Sequence, residues 1–312
     1  MGRVCVASKP PVLVIFGPTA SGKTALAVEL AKALNGEIIN ADSRQIYAGM
    51  PVITACPTAA EYAVVPHHVF EFLQPHQRFS AGAWAKLARQ KIDEIMARGK
   101  LPIVVGGTGF YLRALMEGMS EIPDIPAEIE DELNGLSMAE LRAMLVEADP
   151  VLAAKLIPTD RQRTIRGLAV FRHTKIPLSD WQKKDKQALG TGLNFVKIGL
   201  NISRETLHQN LAQRWQKTML EHGVEAEMCG LWQAGLSPEM PALRGLAIPF
   251  WFDYFAGKLS LAEVLEQSLY RDRQYAKRQY TWLKNSYGAD IMLESPSVDG
   301  LMPLLRARGL AS

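Results

Sequence analysis

The chain has 312 residues, enough for one α/β domain carrying an insertion or for two domains. Hydrophobic residues make up 48% and charged ones 21%, and the net charge is only +3, so any surface for nucleic acid must be local rather than a basic coat. Cys5, Cys56 and Cys229 form no CxxC pair, which argues against a zinc site or a disulfide framework and fits a reducing compartment.

No apolar run approaches the ~20 residues of a membrane span. Met1 to Pro11 lacks a charged segment followed by a long apolar one, so a cytoplasmic location is expected. The first apolar run, Val12 to Phe16, reads as a buried strand. It enters Gly17-Pro18-Thr19-Ala20-Ser21-Gly22-Lys23-Thr24, the P-loop pattern, with a helix expected from there to Leu34. In such a turn, backbone N–H groups and a helix N-terminus converge on phosphate oxygens. Lys23 adds a point charge, and the Thr24 hydroxyl can hold Mg²⁺. A short strand follows at Glu37 to Asn40, leading into Ala41-Asp42-Ser43. A helix is expected from about Ala81 to Arg98, stopped by Gly99, and then a strand at Leu101 to Val105 that enters Gly106-Gly107-Thr108-Gly109. Apolar strands separated by helices predict a parallel sheet, whose ligands gather at the strands' carboxyl ends. The P-loop, Asp42 and Thr108 all sit just past such ends.

After Gly118 the texture changes. Residues 120–150 hold nine acids and one base, Arg142, whereas 151–190 hold nine Lys or Arg against three acids. Leu133, Leu136, Leu141 and Leu145 in one half, and Ile165, Leu168 and Phe171 in the other, predict helices. We therefore expect an all-helical insertion over 120–192, within a core made of 1–119 and 193–312. Its charge runs read equally well as a solvated face or a basic contact surface. Strand character returns at Phe195 to Leu200, followed by a helix capped by Ser203 with Leu207, Leu211 and Trp215 on one face.

Tyr270 to Lys284 interleaves bases with aromatic rings on an expected helix. Bases for phosphates and flat rings for stacking suit single-stranded nucleic acid, though the rings also suit packing. A P-loop ATPase or GTPase ends a second buried strand in a metal-holding Asp. Here that strand ends in Gly-Gly-Thr-Gly, and N-K-x-D is absent, which excludes a motor but leaves a small-molecule kinase open. The adjacent His67 and His68 suit packing or turn bonds better than a metal pair, and Trp181 and Trp251 suit a core.

Taken together, G-P-T-A-S-G-K-T at 17–24, A-D-S-x-Q-I-Y at 41–47, P-H-H at 66–68 and V-G-G-T-G-F-Y-L-R-A-L at 105–115 resemble the tRNA dimethylallyltransferase family. So do D-R-Q-R-x-x-R at 160–166, G-V-E-A-E at 223–227 and R-Q-Y-A-K-R-Q-Y-T-W at 273–282, in the family's order over nearly the whole chain. The resemblance implies a P-loop NTPase-like sheet flanked by helices. It also implies transfer of a dimethylallyl group from dimethylallyl diphosphate to the N6 amine of the adenosine 3′ of a tRNA anticodon, with Mg²⁺ as cofactor. Asp42, Thr108 and Lys23 would be catalytic. Gly17 to Thr24 and Arg214 would bind the diphosphate, with Thr24 on the metal. Asp42, Ser43, Arg44 and Gln45 would meet the extruded adenosine and its neighbours. Gln162, Arg163, Thr164, Ile165 and Arg166, with Arg273, Lys277, Arg278 and Gln279, would grip the anticodon stem-loop. Nothing demands more than a monomer. The chain departs from the pattern at Cys56, where a Lys is usual, at Asn210, where an Arg is, at Ala169, where a Glu is, and at Leu246 to Phe250. It also carries an extra residue before Met219. Cys56 and Asn210 motivate a second reading, an RNA-binding homologue with weakened catalysis.

Overall fold

The computed structural model describes residues 9–184, 188–245, 247–286 and 288–310, so Cys5 and Leu246 lie outside the described residues. Among the described residues six strands form one sheet: β1 (Pro11–Phe16), β2 (Gly36–Asn40), β3 (His67–His68), β4 (Leu101–Gly106), β5 (Asn194–Leu200) and β6 (Ile291–Leu293). Their order is β3-β2-β4-β1-β5-β6, and every pair is parallel. The near-continuous apolar runs demand this, because a strand covered by helices on both faces has no wet side. Val12, Leu13, Val14 and Ile15 are fully buried. The register sets Val14 of β1 and Ile39 of β2 beside Val104 of β4, so the ends of these three neighbouring strands lie together.

Helix Lys23–Ala33 returns along β1 and packs Leu26, Ala27 and Leu30 into the core with Leu13, Ile15 and Ile103. Helix Ala81–Ala97 starts on a Ser80 cap that accepts from the Ala83 N–H at 3.1 Å, and Gly99 past its end adopts a φ of 70°. Ser203 caps helix Arg204–Gln213, and Leu207, Leu211 and Trp215 are all buried. Just before Met219, where the resemblance implied an extra residue, the backbone widens into a π-helical turn, Arg214–Thr218. A single added residue is absorbed in this way without unwinding a helix. A 26-residue helix, Leu261–Ser286, follows.

The chain divides into two compact units, Met1–Met116 with Gly190–Ser312, and Glu117–Leu189. The second unit is built on helices Ala127–Asn134, Met138–Ala148, Pro150–Lys155, Arg161–Thr174 and Leu178–Trp181 around Leu133, Leu141, Leu145 and Leu168. Asp149, fully buried, joins two of these helices by accepting from the Leu152 N–H at 2.9 Å and the Ser179 N–H at 2.8 Å. Ala169 is wholly buried in this core, a place where an ionised Glu would need a partner. Among the described residues no helix is long and apolar enough to cross a membrane.

Candidate active site

The P-loop leaves β1 under tight steric limits. A Cβ on Gly17 would stand 3.0 Å from the Leu200 Cβ, and Gly22, at a φ of 86°, would press on Pro296 at 2.7 Å. Ala20 also occupies the left-handed region, at a φ of 60°. That conformation costs a non-glycine residue about 1–3 kcal/mol and persists only where its surroundings hold it. Asn210 does so, donating from Nδ2 to the Ala20 carbonyl at 3.0 Å. Arg214 donates to Thr19 Oγ1 at 3.1 Å. Ser21 Oγ and Arg214 Nε are buried without a protein partner, donors of the kind that phosphate oxygens satisfy.

Lys23 Nζ donates to the Pro18 carbonyl at 2.7 Å. Burial of the ammonium lowers its pKa to about 8, the Asp42 charge raises it and the Arg214 charge lowers it again. The Asp42 carboxylate therefore lies close enough for its charge to be felt at Lys23.

Asp42 is fixed by its own strand. Asn40, fully buried at the end of β2, accepts from the Asp42 N–H at 2.7 Å and donates to its carbonyl at 3.1 Å. Oδ1 of Asp42 accepts from the Arg44 N–H at 2.9 Å, an Asx turn. The Thr108 turn is stitched alongside. The Thr108 N–H donates to the Ala41 carbonyl at 3.1 Å, and Gly106 lies against the Ala41 backbone with no room for a side chain. Thr108 Oγ1 accepts from the Ser43 N–H at 2.9 Å and faces Ser43 Oγ at 3.2 Å. The Tyr275 phenol lies beside Thr108, and burial pushes its pKa above the ordinary value.

Gln45 directs its amide inward, donating to the Ala55 carbonyl at 2.6 Å and the Thr54 carbonyl at 3.2 Å. Cys56 sits beside the same loop, its thiol pushed up to about 12 by burial, with Glu71, Asp42 and Glu227 adding to the rise. Glu227 accepts from the Val52 and Ile53 N–H groups at 2.8 and 2.9 Å.

On the long helix, Lys277 and Arg278 are exposed. Arg271 lies over the Phe250 ring at 5.2 Å; burial lowers its pKa, and the charges of Arg278 and Arg44 lower it further. The Arg278 and Arg44 charges are thus close enough to be felt at Arg271, which suits a polyanion. Arg273 is half-buried, its Nε without a partner. Gln279 is only 8% exposed and bonds within the protein at both ends of its amide.

In the second unit Gln162 and Arg163 are exposed, whereas Thr164 and Ile165 belong to that unit's interior. Arg163 meets Asp160 at 3.4 Å and Arg166 meets Glu130 at 3.7 Å. Arg172 meets Glu132 at 3.3 Å, so part of the charge asymmetry read from the sequence is pairing between the acidic and basic halves.

No group of three His, Cys, Asp or Glu among the described residues could hold a metal ion. The donor that the P-loop itself offers is the Thr24 hydroxyl, with phosphate oxygens of a bound diphosphate beside it. That set fits Mg²⁺, which binds few protein ligands and takes the rest from phosphates and water.

Sequence reasoning missed Asn40 and the bracing role of Asn210. A polar residue closing an otherwise apolar strand just before Asp42 was the available signal for the first.

The comparisons with known proteins agree on one family. A family model described as IPP transferase matches residues 45–286, and one described as isopentenyl transferase matches 10–68. The chain is 44% identical over 275 residues to a tRNA dimethylallyltransferase of Parvibaculum lavamentivorans, covering 87% of each. It is 38% identical over 301 residues to one from Hyphomonas neptunium, covering 95% of each. The fold is similar to the crystal structure of a tRNA isopentenylpyrophosphate transferase from Bacillus halodurans, with a TM-score of 0.69, 32% identity and 96% of both chains covered. It is also similar to a eukaryotic dimethylallyltransferase described as acting on tRNA, with a TM-score of 0.76, 28% identity, and 96% of this chain and 78% of that one covered.

Proposed function

Since the chain belongs to the tRNA dimethylallyltransferase family, we propose that it transfers a dimethylallyl group from dimethylallyl diphosphate to the N6 amine of the adenosine 3′ of a tRNA anticodon. The observation that carries this reading is geometric: Gln279 bonds both Thr19 of the P-loop and Gly107, and Thr108 in the same turn bonds Ser43 beside Asp42, so P-loop and carboxylate share one end of the sheet. A leaving diphosphate and an incoming amine need those two features side by side.

In the reaction the allylic C–O bond breaks and pyrophosphate keeps the electron pair. The N6–C bond forms, and Asp42 accepts the N6 proton. The P-loop N–H groups, Lys23, Ser21 and Arg214 face the charge that develops on the leaving group. Removing one preorganised donor of this type costs about 10²–10³ in rate. Thr24 would hold Mg²⁺, whose charge offsets that of the diphosphate when bound. Thr108, fixed by Ser43, sits at the junction of amine and phosphate. The target base is stacked in its loop and must be extruded to reach the crevice. Arg44, Arg271 and Arg278 form one basic cluster for the RNA backbone, with Lys277 exposed on the same long helix, and Gln162 and Arg163 offer an exposed polar surface on the second unit. The protein works as a monomer in the cytoplasm under this reading.

The small-molecule kinase alternative is not favoured by these relatives. Incubating the protein with dimethylallyl diphosphate, Mg²⁺ and an adenosine-bearing anticodon stem-loop should add the mass of one prenyl group to the RNA. Asp42→Ala should abolish that gain while stem-loop binding survives. An unchanged RNA mass with wild-type protein would refute the proposal, and full activity in Asp42→Ala would remove Asp42 from its role.

A further inference from the structure

Gln279 was expected among the RNA contacts, but its side chain is turned the other way. Its Oε1 accepts from the Thr19 N–H of the P-loop at 2.8 Å, and its Nε2 donates to the Gly107 carbonyl at 3.1 Å. One amide therefore ties the loop after β1 to the loop after β4. The fit is close: a Cβ on Gly107 would collide with Gln279 Nε2, and one on Gly109 would collide with the Trp282 ring. Tyr275, Gln279 and Trp282 are spaced four and three residues apart, so they share one face of the long helix. That face lies along the Gly106–Gly109 turn, bonded to it by Gln279 and packed on it by Trp282, with Thr108 between those contacts.

We propose that Gln279 is a positioning residue of the transfer reaction, fixing the diphosphate-binding loop at a set distance from Thr108. The inference rests on the diphosphate reading of the P-loop given above. Thr19 could otherwise turn its N–H to water, and the donors that follow it in the loop would shift with it. Gln279 acts through the Thr19 backbone and touches neither substrate.

Gln279→Met keeps the length of the side chain and removes both hydrogen bonds. Losing two such bonds should weaken Mg²⁺–pyrophosphate binding about tenfold in calorimetry and lower kcat, with stem-loop affinity changed by less than about twofold. A side chain that gripped RNA would give the reverse pattern, and one that only packed the helix would lower the melting temperature with pyrophosphate affinity intact. Either result overturns the proposal. Gly107→Ala serves as the second variant should Gln279→Met fold poorly. Its methyl displaces the Gln279 amide, so it should weaken pyrophosphate binding alone and cost little more in a Gln279→Ala background. Additive losses in that cycle would also overturn the proposal. Wild-type protein that binds no pyrophosphate would sink the diphosphate reading and this inference with it. Wild-type binding left unaltered in Gln279→Met would sink the inference alone.

Discussion

Asn40 grips Asp42 at both ends of the latter's backbone unit, through Oδ1 to the N–H at 2.7 Å and through Nδ2 to the carbonyl at 3.1 Å. The same Nδ2 also reaches the Val69 carbonyl at 3.0 Å, and the Asn40 carbonyl accepts from Trp84 Nε1 at 2.9 Å. The carboxylate proposed to take the amine's proton thus hangs from a buried, saturated network rather than from a loop free to drift.

Asn40→Ala should therefore damage catalysis more than RNA binding. A misplacement near 1 Å at a reacting group costs about 10²-fold in rate, and we expect kcat to fall by that order. The KM for stem-loop should stay near its wild-type value. The buried groups left unpaired should lower stability by about 1–3 kcal/mol, read by urea unfolding. Unchanged kcat in a folded variant would show that the Asp42 turn holds itself.

Glu37 carries the clearest acid sensitivity of the fold. It is nearly buried at the start of β2, and accepts from His68 Nε2 at 2.7 Å and Arg98 at 2.6 Å, with Lys100 at 3.2 Å. Desolvation raises its pKa, but the bonds from Arg98, His68 and Lys100 outweigh that and hold it at about 2 against an ordinary 4.5. A depressed carboxyl pKa stabilises the folded state above the unfolded value and loses that contribution as pH falls from about 4.5 toward 2. One pKa unit corresponds to about 1.4 kcal/mol, so up to about 3 kcal/mol is at stake. Urea midpoints measured between pH 6 and 3 should fall more steeply for wild type than for Glu37→Gln, which should be weaker at pH 7. Parallel profiles would contradict this.

Cys56, a position where the sequence departs from the family resemblance, has quiet chemistry. With its thiol pushed up to about 12 by burial, little thiolate exists at pH 8. Reaction with a thiol-specific disulfide reagent should run on the order of 10³ slower than for a free cysteine. Peptide mapping after brief labelling should find Cys56 unmodified in the native protein and modified once it is unfolded. Rapid native labelling at Cys56 would refute the assignment.

What the sequence disclosed and what it hid follow from the range of each interaction. The strand at 12–16, the P-loop and the turns holding Asp42 and Thr108 were legible because local apolar runs and glycines dictate them. The parallel sheet followed from the lack of any polar face on those runs. The inward turn of Gln279 was hidden because its partners, Thr19 and Gly107, are 260 and 172 residues away. Asn210 looked like a loss of charge from the sequence. Its bond to the strained Ala20 carbonyl becomes visible only once the helix is set beside the P-loop. The π-helical turn before Met219 is a backbone accommodation that side-chain patterning does not encode.

Lys23 sets the pH range over which the cradle holds an anion. Burial brings its pKa down from 10.5 to about 8, with Asp42 opposing that shift and Arg214 adding to it. A lowered lysine pKa means that folding of the ligand-free protein penalises the ammonium relative to the unfolded chain. Stability is therefore lost as pH falls from the unfolded value through about 8, a cost of at most about 3 kcal/mol at pH 7. A bound diphosphate favours the ammonium and reverses that bias. Pyrophosphate binding should accordingly take up a proton above pH 8, and its dissociation constant should rise by up to about tenfold per pH unit there. Calorimetry in two buffers of different ionisation enthalpy measures the uptake directly. Lys23→Met should raise the melting temperature of the ligand-free protein while removing most pyrophosphate affinity, a trade expected where a site stores unfavourable charge for use. Proton uptake that persists unchanged in Lys23→Met would move the titrating group elsewhere.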